Sequence, residues 1–116
     1  MSTSEPKNTL KNEINTTIKI LAKKMTETDD GQIQLELSEL IGSLMAQRSK
    51  LALKILESET EPFKDAITAL EKLTKEANDA KKDIDKIEKM IANASKTVDK
   101  VTQFIAGLAK IVAVVA

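Results

Sequence analysis

The sequence predicts an all-α fold: an elongated antiparallel three-helix bundle, or helical hairpin, with one long, heptad-patterned C-terminal helix. Its 116 residues include only three Gly and two Pro, the residue types that most weaken helices. Charged residues make up 31% of the chain and hydrophobic residues 41%, a composition typical of helical proteins. Apolar residues also recur three or four positions apart along most of the chain, which is the spacing of helices with one buried face.

The first predicted helix covers about residues 6–28. Ser4-Glu5-Pro6 provides a capping hydroxyl, an acid in the first turn and a proline where no amide donor is needed. Residues 1–5 are therefore predicted to be a disordered tail, and residues 6–116 a single helical domain. The helix offers one narrow apolar stripe to a bundle, made of Leu10, Ile14, Ile18, Leu21 and Met25.

The second predicted helix covers about residues 32–58 and follows a break at Thr28-Asp29-Asp30-Gly31. Gly31 tolerates a left-handed backbone, and an Asp can cap the next helix. The break is therefore compatible with a tight hairpin and equally with a kink between two collinear helices. The apolar face of this helix is wide, which predicts contact with two neighbours. Leu35 and Leu53 lie outside that face on one line, which suggests a further contact.

The third predicted helix, from about residue 61 to residue 116, carries the strongest pattern in the chain. Thr60-Glu61-Pro62 repeats the start signal of the first helix, and the short connector favours antiparallel packing of the second and third helices. Counted in sevens from Phe63, the a and d positions are apolar without interruption as far as Val115. A straight helix of this length would be about 80 Å long.

The C-terminal half of this helix is the most apolar part of the chain and carries the predicted interaction surface. Folded back, a second helix of about 26 residues would cover the third only as far as about Ile91. The apolar seam beyond that point needs a cover, because soluble monomers rarely expose so large an apolar patch. Three covers stay open: a first helix that continues past Gly31, another protein subunit, or a membrane. The residues predicted to make the contact are Val98, Val101, Phe104, Ile105, Leu108, Ile111, Val112 and Val115.

The composition argues against catalysis and against most ligand sites. The chain has no Cys and no His, which removes thiol chemistry, imidazole acid–base catalysis and nearly all zinc sites. The acidic residues around Asp29 lack the spacing of a calcium-binding loop. We therefore predict no catalytic residue, no metal site, no cofactor and no small-molecule substrate. The net charge is zero, with 18 basic and 18 acidic side chains, which argues against a nucleic-acid partner.

Two functions from different classes follow from this pattern. The first is a non-enzymatic interaction or structural protein that acts through self-assembly, or through a helix of another protein, at the apolar C-terminal seam. The second is a membrane-active protein whose amphipathic C-terminal helix inserts into a bilayer. A long helix with a broadened apolar end is broadly similar to helical pore-forming toxins and to helical secretion-system components, with no motif that assigns residue roles.

The sequence also bears on localisation. Its first residues lack the basic and apolar regions of a signal peptide. We therefore expect either a soluble cytoplasmic protein or one that is secreted by a non-classical route.

Overall fold

The computed structural model describes residues 5–111, and it confirms the prediction of an all-α fold. The number of helices differs from the prediction of three. The described part of the chain forms four: α1 (Glu5–Glu27), α2 (Gly31–Ala52), α3 (Glu61–Ala80) and α4 (Ile84–Ala106).

The first helix, α1, begins where its start signal predicts, with Glu5 and Pro6 in the first turn. An acid in this position interacts favourably with the positive end of the helix dipole. Of the tail predicted at residues 1–5, Glu5 is already helical, and residues 1–4 lie outside the described part. The predicted stripe faces the core, since four of its members are buried: Leu10, Ile14, Ile18 and Leu21.

A tight turn at residues 28–30 reverses the chain between α1 and α2, so the hairpin alternative applies and the kink does not. The side chain of Asp30 accepts a hydrogen bond from the Ile33 N–H at 3.0 Å and thereby caps α2. At the other end of the hairpin, Lys7 Nζ donates to the carbonyl of Ala52 at 2.9 Å. The start of α1 therefore lies beside the end of α2, and the two helices are antiparallel.

The second helix, α2, ends at Ala52, earlier than the predicted end at about residue 58. The N–H of Leu53 still donates to the carbonyl of Lys50, which tightens the last turn. The Lys54 N–H donates to the Leu51 carbonyl in the same way, and the Ile55 N–H is the first to bond to a distant segment instead. Residues 53–60 form the connector to α3, whose first turn is capped by the hydroxyl of Thr60.

The largest correction concerns the single helix predicted at 61–116, which consists of α3, a turn, α4 and a non-helical segment after Ala106. Lys81, in the turn, has φ 49° and ψ −121°, the geometry of the first central residue of a type II′ turn. The Asp83 N–H closes this turn by donating to the carbonyl of Ala80 at 3.0 Å. The Asp83 side chain then caps α4 by accepting from the Lys86 N–H at 3.2 Å.

The break was missed because the apolar heptad keeps its phase across the turn. Ala80, Ile84 and Ile87 are spaced four and three apart, as in a continuous seam. Glycine usually marks a positive φ, but Lys81 occupies this position. Of the three apolar residues, only Ile84, beside the turn, is exposed.

Each helix packs against two others in a square arrangement. Contacts join α1 to α2 and α3, and α4 to α2 and α3, so that α2 and α3 lie on a diagonal of the described bundle. This corrects the predicted antiparallel packing of the second and third helices, because the connector at residues 53–60 crosses the end of the bundle. α1 and α3 are parallel neighbours: the Thr17 and Thr74 hydroxyls lie 3.4 Å apart, and Lys24 Nζ donates to the Lys81 carbonyl.

The two hairpins, α1–α2 and α3–α4, share one pattern of buried positions although their side chains differ. Most buried positions of one hairpin match a buried position at the same helical phase in the other. Examples are Leu10 with Ala66, Ile14 with Leu70, Leu40 with Ala94, and Gln47 with Val101.

The turn at residues 81–83 brings the two ends of the predicted long helix together. The rings of Phe63 and Phe104 lie 6.4 Å apart between centroids, whereas a straight helix would separate them by about 60 Å. The bundle measures 54 × 26 × 22 Å. Residues Val101 and Ile105 of the apolar seam are fully buried, so the chain itself covers this part of the seam.

Candidate functional site at one end of the bundle

The end of the bundle where α2 and α4 finish is closed by a backbone bridge between two short segments. We call it the bridged end, and define it by residues 53–55 and 109–111. The Ile55 N–H donates to the Ala109 carbonyl at 2.8 Å, and the Ile111 N–H donates to the Leu53 carbonyl at 2.9 Å. Buried backbone N–H and C=O groups need hydrogen-bond partners. These two bonds supply partners for backbone groups that follow α2 and α4.

Two lysines lie directly opposite each other in this bridge, Lys54 and Lys110. Side chains of directly opposite residues are neighbours on one face of a strand pair. Lys54 is only 9% exposed, and its Nζ donates to the Leu108 carbonyl at 3.1 Å, whereas Lys110 is exposed. Like charges in this relation destabilise the pair, so the arrangement creates a positive potential that favours a nearby anion.

Three large apolar side chains are exposed at the bridged end. We call them the apolar trio: Leu53 is 67% exposed, Ile111 53% and Ile55 42%. They are half of the large hydrophobic side chains that are exposed in the described part of the chain. The neighbouring Leu56 is buried in the core and anchors the connector. The apolar trio is therefore a local surface feature on a well-anchored backbone.

A groove with a volume of about 460 Å³ lies beside the bridge, between the C-terminal parts of α2 and α4. Its apolar walls are formed by Leu53, Ile105, Ala106 and Ile111. Its basic residues are Lys50, Lys54 and Lys110, and no acidic side chain in the described part of the chain lines it. Gln47 also lines the groove; it is 5% exposed, and its buried Oε1 has no hydrogen-bond partner among the described residues.

The bridged end carries charges of both signs in different places. The basic residues flank the groove, whereas Glu57, Glu59 and Glu61 are exposed along the connector and at the start of α3. Glu61 makes a long ion pair with Lys64 at 3.9 Å. Solvent screens such exposed pairs, so they contribute little to folding. The uneven distribution is instead relevant to recognition, where complementary potentials guide association.

The predicted interaction residues fall into three groups in the structure. Val98, Val101 and Ile105 are buried within the bundle. Phe104 and Leu108 are half-buried, with Phe104 tilted against Phe63. Ile111 is exposed and belongs to the apolar trio, while Val112 and Val115 lie outside the described residues. The interaction role of these residues remains a prediction.

Sequence reasoning singled out Leu53 as a leucine outside the apolar face of its helix, and the structure shows it exposed together with Leu35. It missed Ile55, which falls within the helix predicted at about residues 32–58. It also missed Lys54 and Gln47, because their roles depend on residues of α4 and the segment that follows it. The connector would have been predicted if the sequence had shown that α2 ends at Ala52. No Gly or Pro marks that end.

The described residues contain no group of three or more acidic side chains placed to hold a metal ion. None of the four helices is both long and apolar enough to cross a membrane. A comparison of the chain with protein-family models, with curated proteins and with solved structures finds no match.

Proposed function

We propose that the chain is a non-enzymatic interaction protein that associates with a second copy of itself through the bridged end. The observation that carries the proposal is the apolar trio, three exposed large apolar side chains on two backbone segments that hydrogen-bond to each other. Burial of a side chain of this size contributes about 1.5–3 kcal/mol. The seam between Val98 and Ile105 is occupied by the chain's own core, which leaves the trio as the exposed apolar surface that residues 5–111 offer at this end.

Charge complementarity supports a second copy as the partner. A two-fold axis places the same surface of both copies face to face. The basic residues Lys50 and Lys110 of one copy can then approach Glu57 and Glu59 of the other, which makes this end self-complementary. The net charge of zero also means that the two copies have no overall repulsion to overcome.

The size of the bundle end limits the affinity. A cross-section of 26 × 22 Å offers roughly 500 Å² per copy, which is about 1,000 Å² in total and at the low end for a specific interface. We therefore propose a weak, reversible dimer that forms at high local concentration.

Sedimentation velocity over a range of protein concentrations tests the proposal. The unmutated chain is expected to shift from monomer to dimer. Leu53→Lys should weaken the dimer at least tenfold, since the loss of about 1.4 kcal/mol is sufficient for that change. Leu35→Lys is the matched control, because Leu35 is a leucine of α2 that is also more than half exposed. A chain that is monomeric at every concentration, or equal effects of both substitutions, would contradict the proposal.

A charge exchange tests the proposed orientation of the two copies. Lys110→Glu places an acid against an acid across the interface and should weaken the dimer. Glu59→Lys should do the same by placing a base against a base. The combined variant should recover much of the affinity, because both signs are exchanged. Additive weakening in the combined variant would rule out this pairing.

A membrane-associating protein is the second candidate. The exposed Ile111 is followed in the sequence by Val-Ala-Val-Val-Ala, and lysines flank the groove. Such an apolar and basic combination is attracted to anionic lipid. We rank it second because Glu57 and Glu59 at the same end would be repelled by that surface.

Co-sedimentation with vesicles of phosphatidylcholine and phosphatidylglycerol tests the membrane candidate. It predicts binding that Ile111→Lys reduces and that high salt weakens. Protein that stays in the supernatant at low salt would exclude this candidate. Point substitutions are preferable to removal of residues 98–116, because that deletion would take Val101 and Ile105 out of the core.

A further inference from the structure

The groove between the ends of α2 and α4 has a chemistry that end-to-end association does not explain. Leu53 and Ile111 belong to both surfaces, but Ile105 and Ala106 line only the groove. With a volume of about 460 Å³, the groove falls within the usual range of small-molecule sites, about 300–1,000 Å³. Its apolar walls suit an aliphatic chain.

Among the described residues, the charged side chains that line the groove are all basic, as they are in a groove between α1 and the end of α2. Lys50, Lys54 and Lys110 line the groove between α2 and α4, with no acid among residues 5–111 beside them. Two other grooves along α2 and α4 include acidic residues, among them Glu36 in both. A concave site lined by charges of one sign concentrates ions of the opposite sign. The ligand that matches this site is therefore anionic.

The opposed lysines give a second reason for an anion. Lys54 and Lys110 are bridge partners, and Lys54 is nine-tenths buried, so the repulsion between them is screened less than at an exposed position. The carbonyl of Leu108 accepts one hydrogen bond from Lys54 Nζ, but an ammonium group has three donors. A carboxylate beside the pair would offset the repulsion and accept further hydrogen bonds.

Gln47 adds a polar group to the groove wall that the fold itself does not require. Its match in the second hairpin is the buried Val101, which shows that an apolar residue suits this layer of the core. The buried Oε1 of Gln47 has no partner among the described residues, and an unpartnered buried acceptor destabilises the fold. Since no hydrogen bond to Oε1 holds the amide, it can rotate and direct its NH₂ group toward an anionic ligand.

We propose that this groove binds a single-chain aliphatic carboxylate, with the hydrocarbon chain against Leu53, Ile105 and Ile111 and the carboxylate among the three lysines. The site does not depend on self-association, because all of its lining residues come from one copy. Ligand binding and self-association would compete for Leu53 and Ile111, so the carboxylate should dissociate the dimer.

Titration with decanoate, followed by amide NMR shifts, tests the proposal at a protein concentration at which the chain is monomeric. Shifts are expected in residues 47–54 and 102–111, with one site per chain. Two probes serve as controls: butyrate shares the carboxylate, and decyltrimethylammonium shares the chain length but is cationic. Both should bind at least about tenfold more weakly than decanoate. Equal affinity of decanoate and either control would overturn the proposal.

Charge variants locate the site with a matched control. Lys50→Glu combined with Lys110→Glu should weaken decanoate binding at least about tenfold. Lys89→Glu combined with Lys96→Glu makes the same change in net charge at exposed positions of α4 outside the groove, and should leave the affinity within about twofold. Similar losses in both double variants would show attraction to overall charge and contradict the proposed site.

Gln47→Leu separates recognition from folding. It should lower decanoate affinity several-fold while it raises the stability of the fold. Unchanged decanoate affinity in this variant would contradict the proposed contact between Gln47 and the ligand. Binding to phosphatidylglycerol vesicles without binding of free decanoate would overturn the carboxylate proposal in favour of a lipid surface. Absence of decanoate binding in a chain that still dimerises would overturn this inference alone and leave the proposed function intact.

Discussion

Gln47 is a buried polar residue, whereas the matching buried residue of the other hairpin, Val101, is apolar. Its Oε1 lacks a hydrogen-bond partner among the described residues, and glutamine and leucine have similar volumes. Gln47→Leu should therefore raise the free energy of unfolding by about 1–3 kcal/mol. Urea denaturation measures this change. Gln103→Leu, at an exposed position of α4, should stay within about 0.5 kcal/mol of the unmutated chain. Destabilisation by Gln47→Leu would show that the amide has a structural partner.

Glu13 is partly buried where α1 faces α3, and its burial raises the pKa of its carboxyl above the usual 4.5, with a further contribution from the negative charge of Glu71. The folded state therefore holds this proton more tightly than the unfolded state does. The stability that this provides is present below pH 4.5 and is lost as the pH rises through the higher folded-state pKa. At neutral pH the ionised Glu13 thus destabilises the fold.

Glu13→Gln should consequently be more stable than the unmutated chain at pH 7, by less than about 1 kcal/mol because solvent screens a partly exposed group. The difference should disappear as the pH falls below 4.5, where both side chains are neutral. Urea unfolding at several pH values measures it, with Glu88→Gln on the exposed face of α4 as the control for the loss of one charge. A gain that is the same at every pH would contradict this explanation.

The turn between α3 and α4 is the element that sequence reasoning missed. Helix-forming residues surround it, and its positive φ falls on Lys81 instead of Gly. The capping role of Asp83 could have been suspected, because Asp is a preferred N-cap residue. By itself, however, a single Asp within a charged helix does not distinguish a cap from a surface residue. The predicted second helix is too short to cover a helix that reaches residue 116, but the covers considered for the rest were a continued first helix, another subunit or a membrane, and not a turn.

Lys81→Gly should stabilise the fold, because glycine adopts a φ of 49° without a clash of Cβ. Relief of about 1–3 kcal/mol of strain exceeds the entropic cost of glycine, so a net gain of about 1 kcal/mol is expected. Lys82→Gly is the control; its φ is not positive, and this change should destabilise. Thermal unfolding measures both. In a continuous helix each substitution would cost about 1 kcal/mol, so equal losses would contradict the turn.

The helices that were predicted well are those whose ends carry explicit chemistry. α1 begins at its Ser-Glu-Pro signal, and the cap at Asp30 lies within the break that was expected before α2. The end of α2 was placed too late, because Leu53, Lys54 and Ile55 are all compatible with a helix. The Leu53 carbonyl and the Ile55 N–H instead bond to residues 109–111, far away in sequence, and local patterns carry no information about such pairing.

At the scale of the whole molecule, the periodicity predicted the core more accurately than the connectivity. Residues of the heptad seam on both sides of the turn are buried, including Leu70, Ala77, Ile87 and Val101. One continuous helix and two shorter helices joined by a turn produce the same apolar pattern when the turn preserves the phase of the heptad. The pattern therefore identified which residues are buried in the core. Which helix each apolar face contacts depends on where the chain reverses.

The same reversal determines what the molecule can present to a partner. It buries the seam from Val98 to Ile105 inside the bundle and brings residues 109–111 next to residues 53–55. The apolar trio and the basic groove exist only because these two segments meet. Of this site, sequence reasoning predicted Ile111 as a contact residue and noted Leu53, but the pairing of Lys54 with Lys110 requires the folded arrangement.

The distance between the start of α3 and the end of α4 tests this account most directly. The chain has no native Cys, so spin labels can be attached at Lys64→Cys and Gln103→Cys, both exposed and outside the apolar trio. Because these ends lie on neighbouring helices with axes about 8–10 Å apart, a pulsed dipolar measurement should give a label separation of roughly 20 Å. A main population near 60 Å, the separation along one continuous helix, would contradict the turn and the bridged end together.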